Sequence, residues 1–171
     1  LNLFGMLQAC LNGARGHDYS PAVPLTPEAL ARDAAACLAA GADEFHTHPR
    51  DAGGVESFAA ADIGAALKAI RASVAGVPVG VSTREGILAD PAARQRAFQA
   101  WNVLPDYVSV NLSEADAPEV IRLMLKRSIG IEAGLATVAD AERYVALPEA
   151  GSCLRILIEI DEQESASALR V

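Results

Sequence analysis

Cysteine, histidine and aromatic residues are scarce in this chain of 171 residues. The three cysteines have no CxxC spacing, and an odd count does not suit a disulfide framework, so we interpret them as buried thiols in a reducing compartment. No apolar run reaches the roughly 18 residues of a transmembrane helix. The first residues lack the basic and apolar segments of a signal peptide. We therefore expect a cytoplasmic protein with no membrane partner.

Positive charge is also in short supply. The chain has 14 Lys and Arg residues and 22 Asp and Glu residues, which gives a net charge of −8 and argues against a nucleic-acid partner. The nucleotide-binding fingerprints GxGxxG and GxxxxGK[ST] are absent. Half of the residues are hydrophobic (51%), which predicts a packed globular domain. An anionic substrate would then have to be attracted by a local patch or by a metal.

Short apolar strands alternate with amphipathic helices along the chain. Thr26 and Asp90 are helix N-caps followed by proline, and Thr137 with Asp140 resembles a capping box. Val120, Leu123 and Leu125 are expected on the apolar side of one helix, and the last strand is apolar enough to be fully buried. The predicted strands are 6–12, the one from Glu44 that stops at Pro49, 78–83, 106–112, 128–135 and 153–160, and a further helix is predicted to open within 162–171.

This alternation predicts a parallel sheet wrapped by helices. A complete (β/α)8 barrel takes about 250 residues, so repeats of roughly 25–35 residues leave room for about six units. We predict an α/β fold, a TIM barrel with only its first six units present, as one incomplete domain over residues 1–171. A doubly wound open sheet is the alternative. Six strands would leave two unpaired edges, so we expect more chain or a homo-oligomer to cover them.

Two of the three histidines lie one residue apart at the end of a predicted strand. Side chains alternate along a strand, so His46 and His48 point to the same side. Pro49 cannot donate to a sheet ladder, which places both rings at the carboxyl end of the strand, where parallel α/β folds keep their chemistry. Two converging imidazoles can hold one Zn²⁺ ion. The alternative is a pair of polar residues on a half-exposed strand.

Polar residues end the other predicted strands too, and the carboxyl ends of parallel strands gather at one face. Ser82 can hydrogen-bond a substrate carboxylate, and Ser109 and Asn111 can donate to an oxyanion. Glu132 can orient a metal-binding histidine or hold a substrate group. The whole predicted set is Asn12, His46, His48, Ser82, Thr83, Ser109, Asn111, Glu132 and Glu159.

Two arginines and the third histidine are predicted near the same face. Arg50 can bind a carboxylate with two parallel hydrogen bonds, or it can form a salt bridge with Asp51. Arg15 and His17 lie in the loop after the first strand and can line the mouth of a site. For His17, simple exposure is the alternative.

Several of these stretches carry a family resemblance. The run HTHPRD from His46 to Asp51 follows a helix, and the run VNLSE from Val110 to Glu114 comes later; CLNGAR, GVST, GIEAGL and CLRILIE add to them. Together they resemble the beta-keto acid cleavage enzymes, such as 3-keto-5-aminohexanoate cleavage enzyme. The resemblance implies a TIM barrel with one Zn²⁺. It also implies a reaction in which a beta-keto acid and acetyl-CoA give acetoacetate and a shortened acyl-CoA.

The resemblance also implies roles for single residues. His46 and His48 match the zinc-binding histidines, and Ser82, with Thr83 beside it, matches a substrate-contacting serine. Ser109 and Asn111 match a polar pair that binds substrate. Two further matches are Glu132, which corresponds to an acidic residue on the fifth strand, and the pair Asn12 and Arg15, which corresponds to positions that read the keto-acid side chain.

The family's third zinc ligand is a glutamate late in the barrel, flanked by an arginine and an aspartate that serve proton removal. The sequence has no counterpart of these three, so we expect that the 171 residues are not the whole functional polypeptide. The interpretation is a zinc-dependent acyltransferase of small molecules. The alternatives are a zinc hydrolase on a TIM barrel, which would need no CoA, and a truncated module without activity.

Overall fold

Strands and helices alternate throughout the computed structural model, which describes residues 5–159. No helix in this range is long and apolar enough to cross a membrane. Each strand is shorter than its apolar pattern predicted, and the helix predicted within 162–171 lies outside the described residues. The strands are β1 Gln8–Cys10, β2 Glu44–Thr47, β3 Val79–Ser82, β4 Tyr107–Asn111, β5 Gly130–Leu135 and β6 Arg155–Ile158; the helices are α1 Pro27–Ala39, α2 Ala60–Ser73, α3 Pro91–Ala100, α4 Ala117–Lys126 and α5 Val138–Val145.

The strands are parallel, and they follow one another across the sheet in chain order, from β1 to β6. Cys10 on β1 pairs with His46 on β2, and His46 pairs in turn with Gly80 on β3. A doubly wound sheet reverses its strand order at a switch point, and this sheet does not. The prediction of a partial TIM-barrel fold is therefore confirmed, and the doubly wound alternative is wrong.

The chain divides between Val108 and Ser109 into two compact units. In the first unit, α1 begins as predicted after Thr26, whose Oγ1 accepts a hydrogen bond from the amide of Ala29 at 3.2 Å. It stops before Gly41, which has a positive φ of 104° that suits a residue without Cβ. α1 packs against α2, and the buried side chains of the two helices are Leu30, Ala34, Ile63, Ala66, Leu67 and Ile70.

An aromatic cluster closes the core of the same unit. The ring of Phe98 is edge-on to those of Phe58 and Trp101, with centroid distances of 4.9 Å and 5.1 Å. The indole Nε1 of Trp101 donates to the carbonyl of Phe58 at 2.9 Å, so its polar atom is satisfied inside the core.

In the second unit, helix α5 begins with the predicted capping box, since Thr137 and Asp140 each accept from the other's backbone amide. The buried face of α4 differs from the prediction. It consists of Ala117, Val120, Ile121 and Met124, spaced at three and four residues, so only Val120 of the predicted stripe is central to it.

Strand β6 is not fully buried, contrary to the expectation from its apolar sequence. Ile156 and Ile158 are 46% and 59% exposed, and they alternate with the less exposed Arg155 and Leu157. The cysteines also differ from the expectation. All three are thiols outside any disulfide, as expected, but Cys10 is exposed and the other two are half-buried.

Gly80 lies where β3 passes directly over the ring of Tyr107. A Cβ at this position would overlap the ring. The ring cannot move aside, because its hydroxyl donates to the carbonyl of Phe45 at 2.7 Å and accepts from Nε2 of Gln8 at 2.8 Å. The glycine is therefore required by close packing and not by its backbone conformation.

We expect Gly80→Ala to lower the free energy of unfolding by about 1–3 kcal/mol, the usual cost of overpacking a core. Gly64→Ala is the matched control. Its Cβ would be 3.5 Å from Val103, an ordinary contact inside α2, so this change should raise stability by about 0.5–1 kcal/mol. Urea unfolding of the two variants measures the difference, and equal midpoints would contradict the packing argument.

Candidate metal centre

Two imidazole rings meet at the end of β2. All four residues of β2 are buried; His46 lies within the strand, and His48 directly follows it. The ring centroids are 5.1 Å apart with an angle of 73° between the ring planes, and each residue is 8% exposed. The structure thus brings the two predicted metal ligands together in a largely water-free place.

His46 has a buried nitrogen that nothing in the described chain satisfies. Its Nδ1 has no hydrogen-bond partner among residues 5–159. Burial, and secondarily the charge of His48, lower the pKa of His46 from 6.5 to about 3, so the ring is neutral at physiological pH. A buried polar atom without a partner costs about 1–3 kcal/mol. An unprotonated imidazole in this condition fits a metal-ligand role.

The His48 ring, by contrast, is held from behind. Its Nδ1 lies 2.5 Å from Oε1 of Glu56, and Oε2 of Glu56 accepts from the guanidinium of Arg84. Burial raises the pKa of Glu56. The hydrogen bond from His48, the charge of His48 and the Arg84 guanidinium outweigh this effect and hold the pKa of Glu56 below its usual range. A carboxylate can only accept, so Nδ1 carries a proton, and in the neutral ring Nε2 is the nitrogen with the lone pair.

The backbone of His48 is fixed by Asn12, the residue two positions after β1. The Oδ1 atom of Asn12 accepts from the amide of His48, and Nδ2 donates to its carbonyl, both at 2.9 Å. The second hydrogen of Nδ2 goes to the carbonyl of Pro24 at 3.2 Å, and the hydroxyl of Thr47 also reaches Oδ1. The predicted substrate contact of Asn12 would have to compete with these bonds.

Arg50 binds the loop after β1 and is not paired with a carboxylate of residues 5–159. Its Nη2 donates to the carbonyls of Gly13 and Arg15, both at 2.8 Å, and Nη1 donates to Gly54. The predicted salt bridge with Asp51 is absent, because Asp51 instead accepts from nearby backbone amides. The binding of a substrate carboxylate by Arg50 stays a prediction.

Arg15 and His17 are exposed in this loop. The guanidinium of Arg15 lies 4.1 Å from the centre of the Tyr19 ring, a cation–π contact, and Nε2 of His17 is 3.0 Å from the carbonyl of Val23. At the end of β3, Ser82 and Thr83 are 4% and 1% exposed, and Oγ of Ser82 accepts from the amide of Arg84.

The remaining predicted site residues belong to the second unit. Nδ2 of Asn111 is 3.4 Å from Oε1 of Glu114, and Ser109 lies half-buried on the same strand. Glu132 is buried and accepts from Nε of Arg155 at 2.7 Å. Glu56 is the carboxylate in contact with the ring of His48, and a role for Glu132 beside a metal-binding histidine or a substrate stays a prediction.

Sequence comparison identifies the family of the chain. The sequence profile of the beta-keto acid cleavage enzymes matches residues 6–147. The chain belongs to the beta-keto acid cleavage enzyme family. That match includes both histidines, Glu56 and Arg84. No curated protein matches the chain.

Solved structures support the fold of this family member. A protein provisionally assigned as a phosphonomutase, from Burkholderia cenocepacia J2315, is similar over 96% of this chain with a TM-score of 0.57 and 19% identity. This chain covers 66% of that structure, slightly under two thirds of its length. An enolase provisionally assigned as a sugar isomerase, from Streptomyces coelicolor, has 13% identity and a TM-score of 0.37, with 90% of this chain and 52% of that one covered. The similarity to the second structure is too weak to bear on the fold.

Sequence reasoning missed Glu56 and Arg84. Glu56 is eight residues beyond His48, after a turn, and no strand or helix period connects the two. The only available signal was the Asp-x-Gly-Gly turn at Asp51–Gly54, which predicts that the chain folds back on itself. Arg84 follows Ser82 and Thr83 at a strand end, where the prediction rested on the two hydroxyl groups.

The buried neutral ring of His46 predicts loss of stability in acid. The unfolded chain takes up the proton near pH 6.5 and the folded chain only near pH 3, so stability falls as the pH drops through this interval. With metal removed by a chelator, the shifted pKa of His46 should lower the free energy of unfolding by about 2 kcal/mol between pH 7.5 and pH 5.

The measurement is the difference in free energy of unfolding between the wild type and His46→Asn at the two pH values. That difference should shrink in acid, since Asn has no proton to gain. His17→Asn removes an exposed histidine and should keep the wild-type pH dependence. A pH dependence of His46→Asn equal to that of the wild type would contradict a buried neutral His46.

Proposed function

We propose that this chain carries the metal-binding part of an enzyme that uses Zn²⁺ to cleave a beta-keto acid with acetyl-CoA. The acid R–CO–CH₂–COO⁻ and acetyl-CoA would give acetoacetate and R–CO–SCoA, so that the acyl group moves to sulfur and no oxidant is needed. The observation that carries the proposal is the pair of imidazoles at the end of β2, one with an unpartnered buried nitrogen and one backed by a carboxylate.

His46 and His48 would hold the ion through unprotonated ring nitrogens. Two nitrogen ligands suit Zn²⁺, which takes three protein ligands in catalytic sites, so the family's late glutamate would have to supply the third. When bound, Zn²⁺ supplies a Lewis acid for the keto oxygen of the substrate. Both histidine residues are only 8% exposed, and this burial would strengthen the electrostatic interactions at the site.

Ser82 and Thr83 are the proposed substrate-binding donors beside the histidines. Both hydroxyls lie at the end of the neighbouring strand β3, and both residues are buried, so a hydrogen bond to a substrate carboxylate would form away from water. Arg15 is proposed to face the variable part of the keto acid, since it is exposed in the loop after β1.

Roles for the second-unit residues rest on the family resemblance. Ser109 and Asn111 are the proposed donors to the developing oxyanion, and Asn111 would exchange its long 3.4 Å bond to Glu114 for one to the substrate. Glu132 is proposed to act through its charge, with Arg155 as its partner.

The test combines zinc content with a screen of beta-keto acids, with and without acetyl-CoA. The wild-type protein, purified at its full natural length, should bind one zinc per chain and form acetoacetate only with acetyl-CoA present. His46→Ala/His48→Ala should lose both the zinc and the turnover. His17→Ala, which removes the remaining histidine, should keep both.

The screen also separates the alternatives. Zinc-dependent turnover without CoA would overturn the acyltransferase and favour the hydrolase, because HxH at a strand end also suits a zinc-activated water. Equal zinc content in the wild type and the double variant would overturn the metal site. Bound zinc with no turnover on any keto acid would favour the module without activity.

A further inference from the structure

The carboxylate of Glu56 lies between two partners that come from different strand ends. Oε1 is 2.5 Å from Nδ1 of His48, which follows β2, and Oε2 accepts from Nη2 of Arg84, which follows β3. Its side chain is only 10% exposed. Both oxygens are thus engaged, and each has one specific donor.

The chain after β2 turns back and places Glu56 beside His48. Asp51 accepts through Oδ1 from the amides of Gly53 and Val55 at 2.8 Å and 3.0 Å, and Gly54 adopts a positive φ of 80°. Arg50 and Glu56 then form an antiparallel bridge. This short hairpin brings residue 56 back beside residue 48.

Only one of the two histidines has such a support. Nδ1 of His46 has no partner among the described residues, whereas Nδ1 of His48 has a charged one. The orientation of the His48 ring is thus set by side chains within this unit, and its Nε2 is the nitrogen left for an outside ligand.

We propose that Glu56 is a positioning residue for the metal: it holds His48 with its proton on Nδ1 and its Nε2 presented to the ion, and Arg84 holds Glu56 in place. This proposal rests on the proposed metal site at His46 and His48. Carboxylates behind metal-binding histidines fix the tautomer and the ring orientation in this way.

Glutamine at position 56 cannot satisfy both partners, although it has nearly the same shape. With its carbonyl toward His48, its NH₂ group faces the guanidinium of Arg84, and two donors cannot form a hydrogen bond with each other. With its carbonyl toward Arg84, its NH₂ group donates to Nδ1 of His48 and drives the ring proton to Nε2, the nitrogen that the metal needs. Glu56→Gln should therefore weaken zinc binding, and removing Arg84 should partly restore it.

The experiment measures the zinc dissociation constant at fixed pH by competition with a chromophoric chelator, using the metal alone as the probe. Glu56→Gln should bind zinc about 10–100-fold more weakly than the wild type. Glu142→Gln, on the exposed side of α5, should be unchanged. Glu56→Gln/Arg84→Met should recover part of the loss, since the glutamine carbonyl is then free to accept from His48.

A second readout needs no metal and separates the positioning role from a general loss of structure. Nitrogen-15 NMR of the zinc-free protein should place the His48 proton on Nδ1 in the wild type and move it toward Nε2 in Glu56→Gln. Unchanged zinc affinity and an unchanged His48 tautomer in a folded Glu56→Gln variant would overturn the proposal. Wild-type protein that binds no zinc at His46 and His48 would overturn the proposed metal site, and the positioning role with it, even if the tautomer responds to Glu56.

Discussion

The buried hydrogen bond between His48 and Glu56 is the contact on which the rest of this site depends. It decides which nitrogen of His48 carries the proton, and therefore which one can bind a metal. The low pKa of Glu56 follows from the same contact, because His48 and Arg84 outweigh the effect of burial. Without this bond, none of the described side-chain contacts would hold the proton of the His48 ring on Nδ1.

The parallel sheet makes this contact possible. Three neighbouring strands end at the same side, and each contributes one part of the His48 environment: Asn12 after β1, the histidine itself after β2, and Arg84 after β3. The side-chain amide of Asn12 continues the strand pairing beyond the end of β1 and fixes the backbone of His48. Glu56 fixes the ring of His48. Backbone and ring are thus held by independent sets of bonds.

Local patterns predicted what depends on local chemistry. The alternation of side chains placed His46 beside His48, and the caps at Thr26 and Thr137 lie where their sequences indicate. The partners of His48 could not be predicted, since Glu56 reaches it by way of a turn and Asn12 lies 36 residues away, after another strand. The exposure of Ile158 was missed for a related reason: an apolar run does not say what covers it.

The most direct test of the metal centre is X-ray absorption spectroscopy at the zinc edge of the zinc-loaded protein. We expect nitrogen or oxygen neighbours at about 2.0–2.1 Å and the outer-shell scattering of two imidazole rings. His46→Ala should leave one ring. A spectrum without imidazole scattering, or one with sulfur at about 2.3 Å as exposed Cys10 would give, would contradict a centre built on His46 and His48.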